Sequence, residues 1–472
     1  MSAIDVVIMA AGKGTRMKSS LPKALHRLAG RPLLAYVLDS AAALGARSCV
    51  VVTGHGAAQV QAFCADWASA NGMKALQTAL QQPQLGTGHA VQQAAPLLPD
   101  DGITLILNGD VPLVQPETLT RLIAQCEGAH LALLTVDDGQ DAGAYGRIVR
   151  SGGQHAPVRS IVEARDATPA QRAITEWYSG VMAAPTRLLK KYLALLTDDN
   201  AQREFYLTGV VRHAVQGGAQ VRALRIQDAA QVAGVNSPAQ LAELERQLQR
   251  STALRLMEGG VRLTDPARLD VRGDLHCGQD VEIDIGCIFE GSVSLADGVR
   301  IGAHCVIANA RIEAGAVIHP FTHIDGGRDG VAVGAGALIG PFARLRPGAR
   351  LGEQVHIGNF VEVKNSTLAA GAKANHLAYL GDATVGERVN YGAGSITANY
   401  DGANKHRTVI EADVHVGSNC VLVAPVTLGA GGTIGAGSTI TRDTPAGALT
   451  VARGKPAAIP GWQRPHKEKP SS

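Results

Sequence analysis

The chain is 472 residues long, with 44 Lys+Arg against 41 Asp+Glu, a formal net charge of +3, 46% hydrophobic residues and only 4% aromatic ones. That length exceeds one ordinary core and points to two domains, while the near-balance of charge argues against a dedicated nucleic-acid binder. The seven cysteines are scattered with no CxxC pair, which excludes a disulfide framework or zinc ribbon and leaves packed, reduced thiols. Residues 1–12 lack a basic segment ahead of a long apolar run, and no 18-residue uncharged apolar stretch follows, so the expectation is a cytoplasmic protein without membrane insertion.

From residue 4 to about 235 the sequence alternates two patterns. IDVVIMA (4–10), ARSCVVVT (46–53) and GITLILNGD (102–110) are β-branched runs of buried-strand type, and PLLAYVLDSAAALG (32–45) and GHAVQQAAPLL (88–98) have helical spacing. Such alternation predicts an α/β domain with a mostly parallel sheet, whose ligands sit at the carboxyl ends of the strands. The domain is placed at 1–236. Residues 238–257 predict one long helix, capped by Ser237 and Pro238, with Leu241, Leu244, Leu248 and Leu254 on one side. Residues 237–260 are read as the linker.

Beyond Val261 aliphatic-plus-glycine units recur, as at 299–302, 331–334, 338–340, 355–358, 414–417 and 426–429. Val281, Val306, Ile312, Val385, Val421, Ile434 and Ile440 fall in the same period of six. A hexapeptide period predicts a parallel β-helix over 261–472, its aliphatics stacked inside. The period breaks at 321–330 and at 397–408, and the second break, TANYDGANKHRT, reads as a functional insertion. The basic tail, Arg464 to Lys469, reads as a solvated segment.

The chemistry begins in MAAGKGTRM (9–17), directly after the first strand. It is not a P-loop, because Gly12 and Gly14 flank Lys13 and Thr15 precedes an arginine. Its glycines and backbone amides, with Lys13, Arg16 and the later Lys23, nonetheless suit a polyphosphate. LGTGHA (85–90) is a second tight turn into a helix, and Asn108-Gly109-Asp110 ends a strand with a carboxylate where a magnesium ligand is wanted. In the second half, His376 and Tyr379 interrupt the aliphatic repeat. Arg346, Lys364 and Lys405 supply cations for a sugar phosphate, and Glu362 is the carboxylate expected to orient a base.

With these motifs together, the chain resembles the bacterial bifunctional N-acetylglucosamine-1-phosphate uridylyltransferases/glucosamine-1-phosphate N-acetyltransferases along nearly its whole length, from MAAGKGTRM to VARGK (451–455). The resemblance implies a Rossmann-like nucleotidyltransferase domain joined by a long helix to a left-handed parallel β-helix, assembled as a homotrimer. It implies acetyl transfer from acetyl-CoA to glucosamine-1-phosphate, then Mg²⁺-dependent transfer of uridylyl from UTP, making UDP-N-acetylglucosamine for peptidoglycan and lipopolysaccharide precursors. In the first half it implies that Met9, Ala10, Ala11, Gly12 and Lys23 hold the triphosphate, with Arg16 and Lys23 neutralising charge in the reaction. Gln81, Gly86 and Thr87 would read the uracil, and Asn108, Gly109, Gly146, Glu163, Tyr178 and Asn236 would complete the sugar-nucleotide site. Asp110 and Asn236 would share the metal. In the second half Arg346, Lys364, Tyr379 and Asn390 would bind glucosamine-1-phosphate, Ala393, Asn399, Tyr400, Ser418, Ala436 and Arg453 would bind acetyl-CoA, and His376 would be the general base. Asn108, Tyr178, Ser179 and Asn375 depart from the family's usual residues. Three rival readings stay open on the residues alone: a β-helix used only for assembly, a sugar-nucleotide-binding regulator, and a transferase for another base.

Overall fold

In the computed structural model, which describes residues 3–126, 130–153 and 155–464, the chain forms two units, Met1–Leu248 and Gln249–Ser472. Most of the basic tail lies outside the described residues.

The β-branched runs of the first unit become the inner strands of one twisted sheet. Its main strands are β1 (Ile4–Met9), β2 (Ser48–Thr53), β3 (Leu76–Leu80), β4 (Ile103–Asn108), β5 (Leu131–Val136), β6 (Trp177–Pro185) and β7 (Val221–Ile226), in the order β7-β5-β6-β4-β1-β2-β3. All neighbours run parallel except β6, which is antiparallel to β4 and β5. Successive side chains of β1 enter opposite cores. Val6 and Ile8 pack with α1 (Leu33–Ala43) and α2 (Ala57–Asn71), whereas Val7 packs with α3 (Thr87–Ala94) and α4 (Gly209–Gln216). Each of these wholly buried aliphatics contributes about 1.5–3 kcal/mol. In the register of β1, Met9 lies opposite both Val52 and Asn108, so the loops leaving β1 and β4 emerge side by side.

The long helix is α5 (Pro238–Glu258), and the Ser237 hydroxyl accepts from the Gln240 amide at 3.3 Å as an N-cap should. Leu244 is buried and Leu241 and Leu248 pack beside it, but Leu254 is exposed. At about 100° per residue, position 254 has rotated about 100° off the stripe formed by the other three leucines. Gln249 is buried instead, and its amide exchanges two hydrogen bonds with the Val271 backbone at 2.8 and 2.9 Å.

The second unit is a parallel β-helix. One ladder climbs through Leu338, His356, Lys373, Asn390, His415 and Thr433. Its steps are 18, 17 and 17 residues, then 25 between 390 and 415, where the polar loop is inserted, then 18. The interior is aliphatic, but three positions differ from the repeat as read. Val306, Leu338 and Val421 face outward, and Cys305/Ile307, Ala337/Ile339 and Cys420/Leu422 fill the interior, each wholly buried. Adjacent residues of a strand cannot both face inward, so a cysteine or alanine takes the neighbouring interior place.

Candidate functional site

In the first unit a cleft of about 750 Å³ opens at the carboxyl ends of β1 and β4. Its lining includes Met9, Ala10, Ala11, Gly12, Lys13 and Arg16 from the opening loop, Gln81, Gly86 and Thr87 from the turn before α3, Asn108, Gly109 and Asp110 from the end of β4, and Lys23 and Asn236. The sequence sets this geometry locally. Met17 is buried among Leu28, Leu33 and Leu244, which pins the far end of the loop. Gly14 sits at φ 57, and a Cβ there would lie 2.9 Å from the Cβ of Lys23, so glycine permits the lysine's approach. Gly86, at φ 107, would drive a Cβ to 2.7 Å from the Phe205 carbonyl oxygen.

Lys23 Nζ forms an ion pair with Asp110 and donates to Asn236 Oδ1 at 3.1 Å. The Val235 amide donates to the Asp110 carbonyl at 3.0 Å, which carries Asn236 to the strand end. A carboxylate oxygen and an amide oxygen thus converge on one cationic point. Lys13 and Arg16 lie exposed on the loop, with no acidic partner among the described residues. Gln81 is buried, with its amide donating to the Gly86 carbonyl at 2.9 Å. Sequence reasoning missed Gln84, whose amide clamps the loop through the Ala11 carbonyl at 2.6 Å, and Tyr145, which lines the cleft stacked on Trp177 at 4.1 Å. The polar run around Gln81 was the available signal for Gln84.

Three expected sugar contacts lie together but off this lining. The Tyr178 amide donates to the Gly146 carbonyl at 2.8 Å, and a Cβ on Gly146 would lie 3.7 Å from Glu163 Oε2. Burial raises the Glu163 carboxyl above its usual range, while the Thr208 hydroxyl, donating at 2.9 Å, opposes that rise. Glu163 also borders a second cavity of about 230 Å³. Tyr178 is packed in the core, its hydroxyl without a hydrogen-bond partner among the described residues, and it is Ser179 that lines the cleft.

In the second unit His376 is exposed, and its Nδ1 lies 3.0 Å from Asn359 Oδ1. An amide oxygen only accepts, so Nδ1 donates in this contact and Nε2 is the ring nitrogen left to act as a base. The carboxylate expected to orient the base does not do so. Glu362 pairs with Arg346 at 2.9 Å and Arg344 at 3.3 Å, and Asn359 takes its place. The register explains this, since Asn359 lies directly opposite His376 one coil earlier, whereas Glu362 lies opposite Tyr379. Asn375, beside the base, has a buried side-chain oxygen with no partner among the described residues.

Lys364 is held below the usual lysine value by the Lys405 ammonium against it, then by burial and by Arg346. Arg346, Lys364 and Lys405 therefore form one cationic cluster. Asn390 is exposed on the His376 side of the coil, in register with Lys373. Ala393, Ser418 and Ala436 follow one another up a single corner: the Asn419 amide donates to the Ala393 carbonyl and the Gly437 amide to the Ser418 carbonyl, both at 2.8 Å. Arg453 reaches the Ala436 carbonyl at 2.7 Å. Tyr400 is exposed in the inserted loop, and Asn399 is buried at its base.

Comparison with known proteins follows the same division. Residues 6–208 match the family model of the MobA-like NTP transferase domain, and residues 407–442 that of the bacterial transferase hexapeptide repeats. The hexapeptide match makes the parallel β-helix the left-handed kind expected from the sequence. The chain is 71% identical over 466 residues to the bifunctional protein GlmU of Polaromonas naphthalenivorans, covering 98% of both chains. It is 66% identical over 467 residues to that of Methylibium petroleiphilum, covering 99% of this chain and 100% of the other. To that of Bordetella parapertussis it is 54% identical over 469 residues, covering 98% and 100%.

Proposed function

The chain belongs to the family of bifunctional GlmU proteins, and we propose on that premise that it makes UDP-N-acetylglucosamine in two steps. The second unit acetylates glucosamine-1-phosphate with acetyl-CoA, and the first joins the product to UTP with release of pyrophosphate. The activities are assigned to residues 261–472 and 1–236. The observation that carries the reading is the presence in one chain of an Asp110–Lys23–Asn236 centre in a phosphate-type cleft and, in the second unit, of an exposed His376 held by Asn359 together with a cation cluster.

In uridylyl transfer the sugar phosphate's oxygen attacks the α-phosphorus in line with the departing pyrophosphate, and the protein's part is positioning and charge neutralisation. The opening loop presents its backbone to the triphosphate, Arg16 and Lys23 offset its charge, and Gln81 with Gly86 and Thr87 faces the base. Asp110 and Asn236 fit a hard divalent cation, because their two oxygens already meet on a positive charge, and substrate phosphates would supply the other ligands. Mg²⁺ bound there supplies Lewis-acid neutralisation of phosphate charge. Gly146 and Glu163, with Ser179 in place of the buried Tyr178, are assigned to the sugar side of the site.

In acetyl transfer His376 Nε2 removes a proton from the glucosamine amine as nitrogen attacks the thioester carbonyl and the CoA thiolate leaves. Arg346, Lys364 and Tyr379, with Asn390, hold the sugar phosphate. The corner ladder from Ala393 to Arg453, with Asn399 and Tyr400, receives acetyl-CoA. Phe321, Phe342 and Phe360 stack along one corner at 5.1 and 5.5 Å and are 48–57% exposed, an apolar stripe that supports burial between copies in a homotrimer. Among the described residues no helix is long and apolar enough to cross a membrane, and nucleotide and thioester substrates support a reaction in the cytoplasm.

Each step can be followed alone. Pyrophosphate should appear from UTP and N-acetylglucosamine-1-phosphate, and stop on chelation by EDTA. Thiol release from acetyl-CoA and glucosamine-1-phosphate should continue under the same chelation. Thiol release that stops with EDTA, or pyrophosphate release that ignores it, contradicts the assignment.

The cation cluster also sets a pH dependence. Neighbouring positive charge lowers the pKa of Lys364 in the free protein, and a bound phosphate dianion would raise it again. Binding therefore takes up a proton where the two values differ, so affinity for glucosamine-1-phosphate is full below the free-state value and falls as pH rises through it. A titration of affinity from neutral to alkaline pH should lose binding before an ordinary lysine deprotonates. In Lys364→Arg that loss should move to higher pH, and an unmoved profile would remove Lys364 as its origin.

A further inference from the structure

The loop that interrupts the β-helix repeat is tied down at both ends by one residue. Asp382 is buried, 7% exposed, at a corner of the preceding coil. Its carboxylate accepts from the side-chain amide of Asn399, where the loop departs, and from that of Asn365 at 2.5 Å. Its carbonyl accepts from the amide of Thr408, where the loop returns, at 3.2 Å. Its own amide donates to the Lys364 carbonyl at 3.1 Å, so the anchor is fastened to the coil that carries a phosphate-binding lysine.

Between those ends the loop is braced separately. Tyr400 and Lys405 pair as a small antiparallel bridge, and the Asp401 carboxylate accepts from the amides of Ala403 and Asn404 at 2.8 and 2.6 Å and lies 2.6 Å from His406 Nε2. A braced hairpin on a fixed base holds its side chains in place, and this one sets the Lys405 ammonium against that of Lys364. Two ammonium groups repel, so the arrangement needs a mechanical restraint until an anion arrives. The Asp382 carboxylate lies close enough to Lys364 to oppose that repulsion as well.

We infer that Asp382 is a positioning residue of the acetyl-transfer site: by fixing both ends of the 399–408 loop, it places Lys405 so that Arg346, Lys364 and Lys405 together grip the phosphate monoester of the sugar substrate. The inference rests on the acetyl-transfer reading above. A monoester dianion suits three convergent cations better than a single lysine does, and the loop makes the third cation available.

The test is steady-state acetyl transfer by the full-length protein carrying Asp382→Asn, which keeps the shape but turns an amide toward the two amide donors. KM for glucosamine-1-phosphate should rise at least ~10-fold, KM for acetyl-CoA should rise by less because the loosened loop also carries Asn399 and Tyr400, and kcat should change less than ~3-fold with uridylyl transfer unchanged. Trypsin should cut after Lys405 or Arg407 faster than in the wild type. Asn365→Gly, at an exposed position with φ 44, removes one of the two donors without threatening the core and should give a smaller change of the same kind. An unchanged KM for the sugar phosphate in a folded Asp382→Asn protein overturns the inference. So does a rise confined to KM for acetyl-CoA, which would show that the anchored loop serves acetyl-CoA through Asn399 and Tyr400 and not the sugar phosphate. If Asp382→Asn fails to fold, an Asn365→Gly protein with wild-type kinetics and wild-type proteolysis overturns it too. Wild-type protein that releases no thiol with glucosamine-1-phosphate would instead defeat the acetyl-transfer reading itself.

Discussion

Asp110→Ala should abolish uridylyl transfer, lowering pyrophosphate release by at least ~10³-fold, and leave acetyl transfer within about twofold of wild type. Among the two residues assigned to the metal, Asp110 is the one that carries charge. Its carboxylate also holds Lys23, which donates in turn to Asn236, so one truncation removes a ligand and frees the cation that should face the phosphates. The carbonyl that receives the Val235 amide belongs to the backbone and survives the substitution, so Asn236 keeps its place. Asp110→Asn preserves shape but not charge and should be nearly as damaging. Equal loss of both activities in a folded Asp110→Ala protein would show that the residue does not serve one site.

His376→Ala should reduce acetyl transfer by at least ~10²-fold, within the ~10²–10⁴ that a positioned general base contributes. The amine is partly protonated at neutral pH, and only its free base attacks the thioester. KM for glucosamine-1-phosphate should change little, because the histidine acts in the transition state and the cation cluster does the binding. The bond from Asn359 adds a graded companion: Asn359→Ala leaves the imidazole in place but removes the partner that fixes its tautomer. It should lower kcat by ~10-fold and no more. Uridylyl transfer is the internal control for both variants. A His376→Ala protein with more than half of the wild-type turnover would move the role of base to Tyr379 or water.

Much of the architecture was legible because it follows from periodicity. The β-branched runs at 4–10 and 102–110 became β1 and β4, and the six-residue period became a parallel β-helix. What the period left undetermined was the choice within an adjacent aliphatic pair. Val306, Leu338 and Val421 read as interior residues, yet cysteine or alanine one place earlier takes that position. The helix stripe failed at Leu254 for the same kind of reason, an angle that accumulates over several turns. At the sites, Asp110 was legible because it follows a strand end and Lys23 because it follows the proline after the opening loop, and the structure brings them together. Asn359 was not, since its contact with His376 crosses coils and depends on register rather than on neighbours in sequence. Glu362 was the chemically attractive partner for an imidazole, but two arginines engage it. Tyr178 occupies an expected sugar-contacting position, while strand alternation buries its ring and leaves Ser179 on the cleft.

The most direct test of two coupled activities in one chain follows a single label through both. The purified protein is incubated with glucosamine-1-phosphate, UTP, Mg²⁺ and acetyl-CoA carrying a ¹³C-labelled acetyl group, and the products are identified by mass. The account predicts UDP-N-acetylglucosamine with the label in its acetyl group, accompanied by equal amounts of free CoA and pyrophosphate. Labelled N-acetylglucosamine-1-phosphate that is never converted to a nucleotide sugar, or release of pyrophosphate with no acetylated product, would contradict it.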